Sequence, residues 1–370
     1  MPKSTAQPIS SASMDTLSRL LLSKHAGDVS AQSNEALSSK MIGISREEFD
    51  DLVTLANSNH VVVRGLEIAR KIFRDAQDSM RVEWAEAALT EERARIHAAI
   101  PFLHAICAGF QDEGLDIAVI KSLDHWPDLG SDLDLYTNAS PEQVVQLMKR
   151  RFQAELAARS WGDRLAGKWN FLIPGLKESV EIHVRRLGQT GEQITLAGRL
   201  MGRTRLIRIQ DHSFRVTSPS DRLMISTLQR MYRHFYFRLC DVVDSAALVE
   251  SGALDYEDLR YSATACGIWE GVATYLMIVS DYVKQYRGTG LDLPQFVKES
   301  SKFGGEEIFF RKDFLRVPIM PQSASLYGTQ LTGLLRKREL HSSARLSLLP
   351  WLATAAAVGQ KITGSDKDIW

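Results

Sequence analysis

The chain has 370 residues, of which 44% are hydrophobic and 24% are charged, and its 45 basic residues balance its 45 acidic residues. This length predicts two domains and a tail rather than one small core. A formal net charge of zero excludes an overall field that would favour tight non-specific binding to nucleic acid or to an anionic membrane.

The cysteines and the apolar runs bear on the cellular compartment. Cys107, Cys240 and Cys266 are far apart and form no Cys-x-x-Cys pair, so they predict buried thiols in a reducing compartment, with neither a disulfide framework nor a zinc site. The Leu20–Leu22 cluster is too short for a signal peptide, and no apolar run reaches the roughly 18 residues of a membrane span. We therefore expect a cytoplasmic protein without a membrane span.

The first third of the chain predicts a flexible segment followed by helices. Residues 1–40 are rich in Ser, Ala and Gln and are expected to be flexible or loosely docked. Residues 41–114 form a helical region, which begins with the N-cap pattern Ser45-Arg46-Glu47-Glu48. Within it, Leu103, Ile106 and Phe110 fall on one helical stripe.

Residues 115–217 contain short strand-like runs and a predicted helix, a pattern that is typical of an α+β domain. Short β-type runs cover residues 116–120, 132–136, 169–173, 180–184, 206–209 and 214–217. A helix with proline in its first turn is predicted over residues 141–157.

The remainder of the chain predicts helices. A helical domain over residues 218–300 has candidate helices at 222–251, 256–286 and 293–300. A helical C-terminal region over residues 301–370 ends in an alanine-rich apolar helix at 342–362. Packing of that helix on the core is favoured over a membrane-surface or partner-binding role.

Three carboxylates are the residues most informative about function. Asp132 and Asp134 are two positions apart on a predicted strand, so their side chains lie on the same face, and Glu181 lies on a later strand. Crowded carboxylates repel each other unless a cation neutralises them, and Mg²⁺ prefers carboxylate and phosphate oxygens. This pattern favours a Mg²⁺ site, with Mn²⁺ as the alternative, and phosphoryl or nucleotidyl transfer.

The spacing of these motifs resembles a known family. A strand that ends in Lys121-Ser122, then Asp132-Leu133-Asp134-Leu135, then Glu181-Ile182-His183 resembles the DNA polymerase β-type nucleotidyltransferase superfamily, and within it a family of uncharacterised nucleotidyltransferases. Lys121 departs from the usual glycine. The resemblance covers about residues 115–285. It implies a small mixed-sheet nucleotidyltransferase core flanked by N-terminal helices and a C-terminal helical domain.

The resemblance also implies an activity and a set of site residues. A nucleoside monophosphate would pass from an NTP such as ATP to an acceptor hydroxyl, with release of pyrophosphate. A small-molecule acceptor is favoured, and an RNA 3′ end such as that of tRNA, or a protein side chain, is the alternative. Asp132, Asp134 and Glu181 would be catalytic and bind two metal ions, whereas the nucleotide would contact Lys121, Ser122, Ser131 and His183.

Other interpretations of these residues stay open. The fold could serve a non-catalytic nucleotide-sensing or protein-interaction module, which Lys121 favours. His183 fits a surface or outer hydrogen-bonding role, and Lys121 could end its strand in solvent. The spacing of His234, Arg238 and Asp241 favours ion pairing along one helix face over substrate contact. The arginine-rich stretch 185–215 could bind a polyanion, although a solvated basic face is favoured.

Two other acidic motifs are excluded. The residues before Asp132, Pro127–Ser131, read as a loop, whereas a dehalogenase-type phosphatase has a buried strand there. An EF-hand needs glycine where Thr137 stands.

Overall fold

Five helices precede the sheet in the computed structural model, which describes residues 11–23 and 31–352. They are α1 (Ser11–Leu22), α2 (Ala31–Ile42), α3 (Arg46–Ser58), α4 (Val62–Asp75) and α5 (Ser79–Asp112). The predicted N-cap is present, because the Glu48 N–H donates to Ser45 Oγ and the Ser45 N–H donates to the Glu48 carboxylate. These reciprocal bonds satisfy two amide donors at the start of α3.

The segment expected to be flexible, residues 1–40, contains two helices. Leu17 and Leu20 of α1 are buried in the hydrophobic core, which differs from a flexible or loosely docked segment. The prediction rested on the serine-rich composition and did not take account of a short apolar stripe at helical spacing. Residues 1–10 and 24–30 of the predicted segment lie outside the described residues.

A seven-stranded mixed sheet forms the centre of the molecule and gives the predicted α+β class. Its strands are β1 (Ile117–Val119), β2 (Asp132–Thr137), β3 (Glu155–Leu156), β4 (Lys168–Leu172), β5 (Ser179–Val184), β6 (Arg205–Ile209) and β7 (His212–Val216), in the order β3-β4-β5-β2-β1-β7-β6. The pairs β2/β5 and β1/β7 are parallel, and the other neighbours are antiparallel. Leu103, Ile106 and Phe110 of α5 are buried beside this sheet, as their stripe predicted.

The helices of this region differ from the prediction in extent and number. They are α6 (Pro141–Phe152), α7 (Trp161–Ala166) and α8 (Ile194–Leu200). The helix predicted to reach residue 157 ends early because Gln153 adopts a left-handed conformation with φ 51°. The residues after it extend to form β3, which pairs with β4. The helices α7 and α8 were not predicted.

After the sheet the chain returns to helices, with one interruption that matters for the site. The elements are α9 (Pro219–Gln229), β8 (Tyr236–Phe237), α10 (Leu239–Glu250), α11 (Tyr256–Ala265), α12 (Trp269–Arg287) and α13 (Gln295–Ser300). The single helix predicted over 222–251 is wrong, because a π-helical turn at Arg230–His234 and a left-handed Phe235 separate α9 from α10. The helix predicted over 256–286 is also divided, at Gly267, whose φ is 71°.

The C-terminal region is mixed rather than purely helical. It contains β9 (Phe309–Arg311), β10 (Phe314–Arg316), α14 (Ala324–Arg336) and α15 (Leu340–Leu346). The strands pair in the order β8-β10-β9, so this region completes a small antiparallel sheet begun at β8. Residues 353–362 of the predicted final helix lie outside the described residues.

The cysteines and the described helices bear on the predicted compartment and on the absence of a membrane span. All three cysteines are buried and free, as predicted. Among the described helices, none combines the length and apolarity that crossing a membrane requires.

Candidate functional site

The parallel pairing of β2 with β5 brings the predicted carboxylates to one place. Asp134 is the register partner of Glu181, and Asp132 is the partner of Ser179. The register follows from the buried apolar residues that alternate with these polar ones, since a slip of one residue would turn every side chain to the other face. Those apolar residues are Leu133, Leu135, Val180 and Ile182.

The turn after β1 is fixed to β2 by the hydroxyl of Ser122. Ser122 Oγ donates to the Asp132 carbonyl oxygen at 3.1 Å and accepts the Asp134 N–H at 2.7 Å. Lys121, just before it, has φ 68° and ψ −55°, a conformation that favours glycine. Because the only hydrogen of the Ser122 hydroxyl is used, its side chain orders the carboxylate strand instead of donating to a phosphate as predicted.

Two lysines neutralise the carboxylates. Lys168, with 3% of its side chain exposed, places Nζ 2.6 Å from Glu181 Oε1. Lys121 Nζ forms an ion pair with Asp134 and lies 3.7 Å from the same Glu181 oxygen. These ion pairs neutralise Asp134 and Glu181 but not Asp132, and they correct the alternative that Lys121 ends its strand in solvent.

Burial and these ion pairs set the protonation of the centre. Burial lowers the pKa of Lys168 to about 8, with a further contribution from Arg233 and an opposing one from Glu181. Burial by itself would raise the pKa of Glu181, but Lys168 and Lys121 outweigh it and hold that pKa well below its usual range. Glu181 is therefore ionised throughout the physiological range.

His183 and Asp132 occupy different positions around the pair. His183 Nε2 forms a hydrogen bond with Glu181 Oε1 at 2.8 Å, and the ligand atoms of Asp134, Glu181 and His183 lie within 4.8 Å of one another. Asp132 lies outside this group and is exposed. Its carboxylate accepts from Ser179 Oγ at 2.6 Å and from Ser131 Oγ at 3.4 Å.

These contacts determine how many divalent cations the residues fit. Asp132 and Asp134 both line the cleft, and their carboxylate oxygens are the hard ligands that Mg²⁺ or Mn²⁺ prefers. The ligand atoms of Asp134, Glu181 and His183 are close enough to hold a metal ion, but Lys121 and Lys168 already contact one oxygen of each carboxylate and would compete with it. A further double charge there would be repelled at short range in a poorly solvated place.

A basic wall faces the carboxylates across a cleft of about 180 Å³. It is formed by the π-helical turn after α9 and the start of α10, and its residues are Arg230, Arg233, His234 and Arg238. Arg230 is compensated by Asp241 at 2.7 Å. Within the described residues, Arg233 has no carboxylate partner, so its charge is available to an anion in the cleft.

The wall corrects the helix-face interpretation of His234, Arg238 and Asp241. His234 ends the π-helical turn, whereas Arg238 caps α10 after the chain has passed through β8. Asp241 lies in the first turn of α10 and is buried against Arg230, so the three residues do not share one helix face.

Several arginines of the stretch 185–215 are compensated within the fold. Arg199 and Arg203 both pair with the buried Asp221, Arg208 pairs with Asp211, and Arg215 with Asp116. None of the residues of this stretch lines the described cleft. The arginine-rich stretch therefore lies outside the cleft that contains the carboxylates.

Lys168, Arg233 and His60 line the cleft and were missed in the sequence. Lys168 is the first residue of β4 and stands directly before a predicted strand. Its position could have identified it, because a lysine directly before an apolar strand can pair with a carboxylate on the neighbouring strand. No comparable signal marks Arg233 or His60.

No family model matches the chain, and no curated protein matches it. Among solved structures, the chain is similar to an antigenic nucleotidyltransferase-like protein from Paracoccidioides brasiliensis. The sequence identity is 14% and the TM-score is 0.30, over 45% of this chain and 85% of that chain. At this level of similarity, function has to be inferred from the cleft itself.

Proposed function

We propose that the protein is a Mg²⁺-dependent nucleotidyltransferase that moves a nucleoside monophosphate from an NTP to an acceptor hydroxyl and releases pyrophosphate. The observation that carries this proposal is the opposition of charges within one cleft. Asp132 and Asp134 line one side, and the uncompensated Arg233 lines the other. A metal-bound triphosphate has the charge pattern that bridges such a cleft.

In this proposal the acidic residues would bind the cation and the basic residues would bind the triphosphate. Asp132 and Asp134 would hold the cation, which when bound supplies neutralisation and polarisation of the phosphate oxygens. Arg233 and Arg238 would bind and orient the triphosphate, because guanidinium groups make paired hydrogen bonds to phosphate oxygens. Ser122 would keep the turn and the carboxylate strand in one arrangement through its two hydrogen bonds.

Glu181 and its partners would act as a fixed charge cluster. The Lys168 and Lys121 ammonium groups stand where a second cation would otherwise balance Asp134 and Glu181. His183 would hold the Glu181 carboxylate in place through its 2.8 Å hydrogen bond. The chain would therefore use one bound cation together with two lysines.

The acceptor remains a choice among three classes, of which a small molecule is favoured. The cleft has a volume of about 180 Å³, and the chain has zero net charge. Neither feature favours a long polyanion. An RNA 3′ end and a protein side chain are the alternatives.

A second candidate function is a non-catalytic module that binds a nucleotide or a protein partner with the same fold. The ion pairs of Lys121 and Lys168 favour it, because they stabilise the carboxylates without any metal. A nucleotide-binding module would differ from the enzyme in turnover, and a protein-binding module would differ from it in nucleotide binding as well.

Binding is tested first, by thermal denaturation with ATP, GTP, CTP or UTP in the presence of Mg²⁺. We expect at least one NTP to raise the melting temperature of the wild type and to lose this effect in the Asp132→Asn/Asp134→Asn double variant. Asp211→Asn is the matched control, because Asp211 is 97% exposed in a turn away from the cleft. The absence of any shift in the wild type contradicts both nucleotide-binding functions and leaves only a module that binds a protein partner.

Turnover is tested with labelled NTPs and fractionated cell extract, by measuring pyrophosphate and identifying labelled products by mass spectrometry. We expect pyrophosphate release from the wild type and from Asp211→Asn, and a loss of at least about 100-fold in the double variant, as for removal of a key electrostatic group. NTP binding without any turnover would leave the non-catalytic module as the function.

A further inference from the structure

A second cluster of metal-ligating side chains lies next to the cleft. His60 follows α3, His125 ends the short 3₁₀ turn after β1, and Cys240 is the second residue of α10. A ring nitrogen of each histidine and the cysteine sulfur lie within 4.8 Å of one another. Cys240 Sγ is 3.8 Å from His125 Nε2, and the ring centroids of the two histidines are 5.7 Å apart. Ligand atoms around a tetrahedral zinc ion are separated by about 3.5 Å, so small side-chain movements suffice.

The backbone around Asn59 sets the distance between His60 and Cys240. The Asn59 carbonyl oxygen accepts the Cys240 N–H at 3.2 Å, and Asn59 Oδ1 accepts the Leu239 N–H at 2.9 Å. The next residue, His60, has φ 54°, which is uncommon for a residue other than glycine. This conformation persists because Asn59 is fixed to α10, and it marks His60 as a candidate functional residue.

His125 is oriented by a carboxylate in the way that metal-binding histidines are. Its Nδ1–H donates to Asp244 Oδ2 at 2.5 Å, and Asp244 also accepts from Arg64 Nη1 at 2.6 Å. This bond fixes the orientation of the ring, so that Nε2 faces Cys240. Nδ1 of His60 is buried and has no hydrogen-bond partner within the described part of the chain.

We propose that His60, His125 and Cys240 bind a transition-metal ion, Zn²⁺, with its fourth coordination position open to the cleft. One thiolate and two imidazoles suit a borderline-soft ion and exclude Mg²⁺, which avoids sulfur. His60 and His125 line the same cleft as Asp132 and Asp134, so a fourth ligand would come from that side. No sequence motif indicates zinc, because the ligands come from three distant segments without a Cys-x-x-Cys pair.

The test is metal binding by the full-length protein, read by metal content and by spectroscopy. After dialysis with Zn²⁺ we expect about one equivalent per chain by elemental analysis. After removal of metal and titration with Co²⁺, we expect a thiolate-to-Co²⁺ charge-transfer band together with the intense visible bands of tetrahedral Co²⁺. Cys240→Ser should abolish the charge-transfer band, and His60→Ala should weaken Co²⁺ binding by at least about 10-fold.

Cys266→Ser is the matched control, because Cys266 is also a buried free thiol but belongs to no described metal-ligating group. It should keep the band. Co²⁺ binding without a thiolate band would place the ion at the carboxylates of the cleft instead and would overturn the proposal. The wild-type spectrum decides this even if the Cys240 variant fails to fold.

Discussion

Lys168 contributes a buried ammonium group to a centre that the sequence presents as purely acidic. Its Nζ lies 2.6 Å from Glu181 Oε1, and Lys121 adds a second positive charge beside Asp134. Removing one partner of a buried ion pair leaves a charge that neither water nor another side chain fully compensates. The stability of this centre therefore depends on the lysines as much as on the carboxylates.

Replacing Lys168 by methionine should destabilise the protein and change its response to divalent cations. We expect the free energy of unfolding to fall by about 3 kcal/mol, because Glu181 loses its nearest positive charge. We also expect Mg²⁺ to stabilise the variant more than the wild type, since the released Glu181 oxygen becomes a ligand. Urea denaturation with and without Mg²⁺ measures both effects.

Lys149→Met on the exposed side of α6 is the control for this substitution, and it should change stability by no more than about 0.5 kcal/mol. Equal stability of Lys168→Met and wild type would show that the Lys168–Glu181 pair contributes nothing. An unchanged Mg²⁺ response would contradict the idea that the lysine takes the place of a second cation.

At the residue scale, the carboxylates could be predicted and the lysine could not. Strand alternation alone places Asp132 and Asp134 on one face. Lys168 reaches Glu181 only because β4 pairs antiparallel with β5 in a register that sets Lys168 opposite His183, diagonal to Glu181. That register depends on tertiary packing, which the local sequence does not specify.

At the element scale, the interruption between α9 and α10 builds the basic wall. The pattern over residues 222–251 is compatible with one helix, and the competing partner of Tyr236 and Phe237 is β10, far along the chain. Pairing with β10 and the packing of Phe237 on Tyr275, with ring centroids 4.9 Å apart, favour the strand over helix continuation. Local periodicity could not predict this, because the stabilising contacts are non-local.

Replacing Arg233 by methionine should weaken nucleotide binding without unfolding the protein. Arg233 lines the cleft and has no carboxylate partner among the described residues, so its removal leaves no buried acid uncompensated. Loss of a charged hydrogen bond to phosphate should raise the NTP dissociation constant about tenfold. Isothermal titration with a non-hydrolysable NTP and Mg²⁺ measures the change.

Arg208→Met serves as the control for Arg233→Met, because Arg208 lies on β6, outside the cleft, with 73% of its side chain exposed. It should bind the NTP as the wild type does. Equal affinities of the two variants would remove the basic wall from the nucleotide-binding site.

At the scale of the whole molecule, the helical regions before and after the sheet are joined to each other. Ser18 Oγ of α1 forms a 2.8 Å hydrogen bond with the Tyr282 hydroxyl of α12, and Arg287 Nε donates to the Leu22 carbonyl oxygen at 2.7 Å. The cleft itself takes residues from the sheet and from the segment after α9. The regions predicted as separate along the chain therefore share one core and one site.

Replacing Leu17 by alanine tests this coupling. Leu17 is 1% exposed, and its Cδ1 packs so closely on α4 that a β-carbon at Gly65 would lie 3.1 Å from it. The cavity left by the substitution should lower the free energy of unfolding by about 2–5 kcal/mol. The unfolding transitions measured by fluorescence and by circular dichroism should both move to lower denaturant concentration. The reason is that α1 contacts helices that precede the sheet in the chain and helices that follow it. Leu340→Ala, at a leucine 70% exposed, is the control. A variant as stable as this control would show that α1 is only loosely docked.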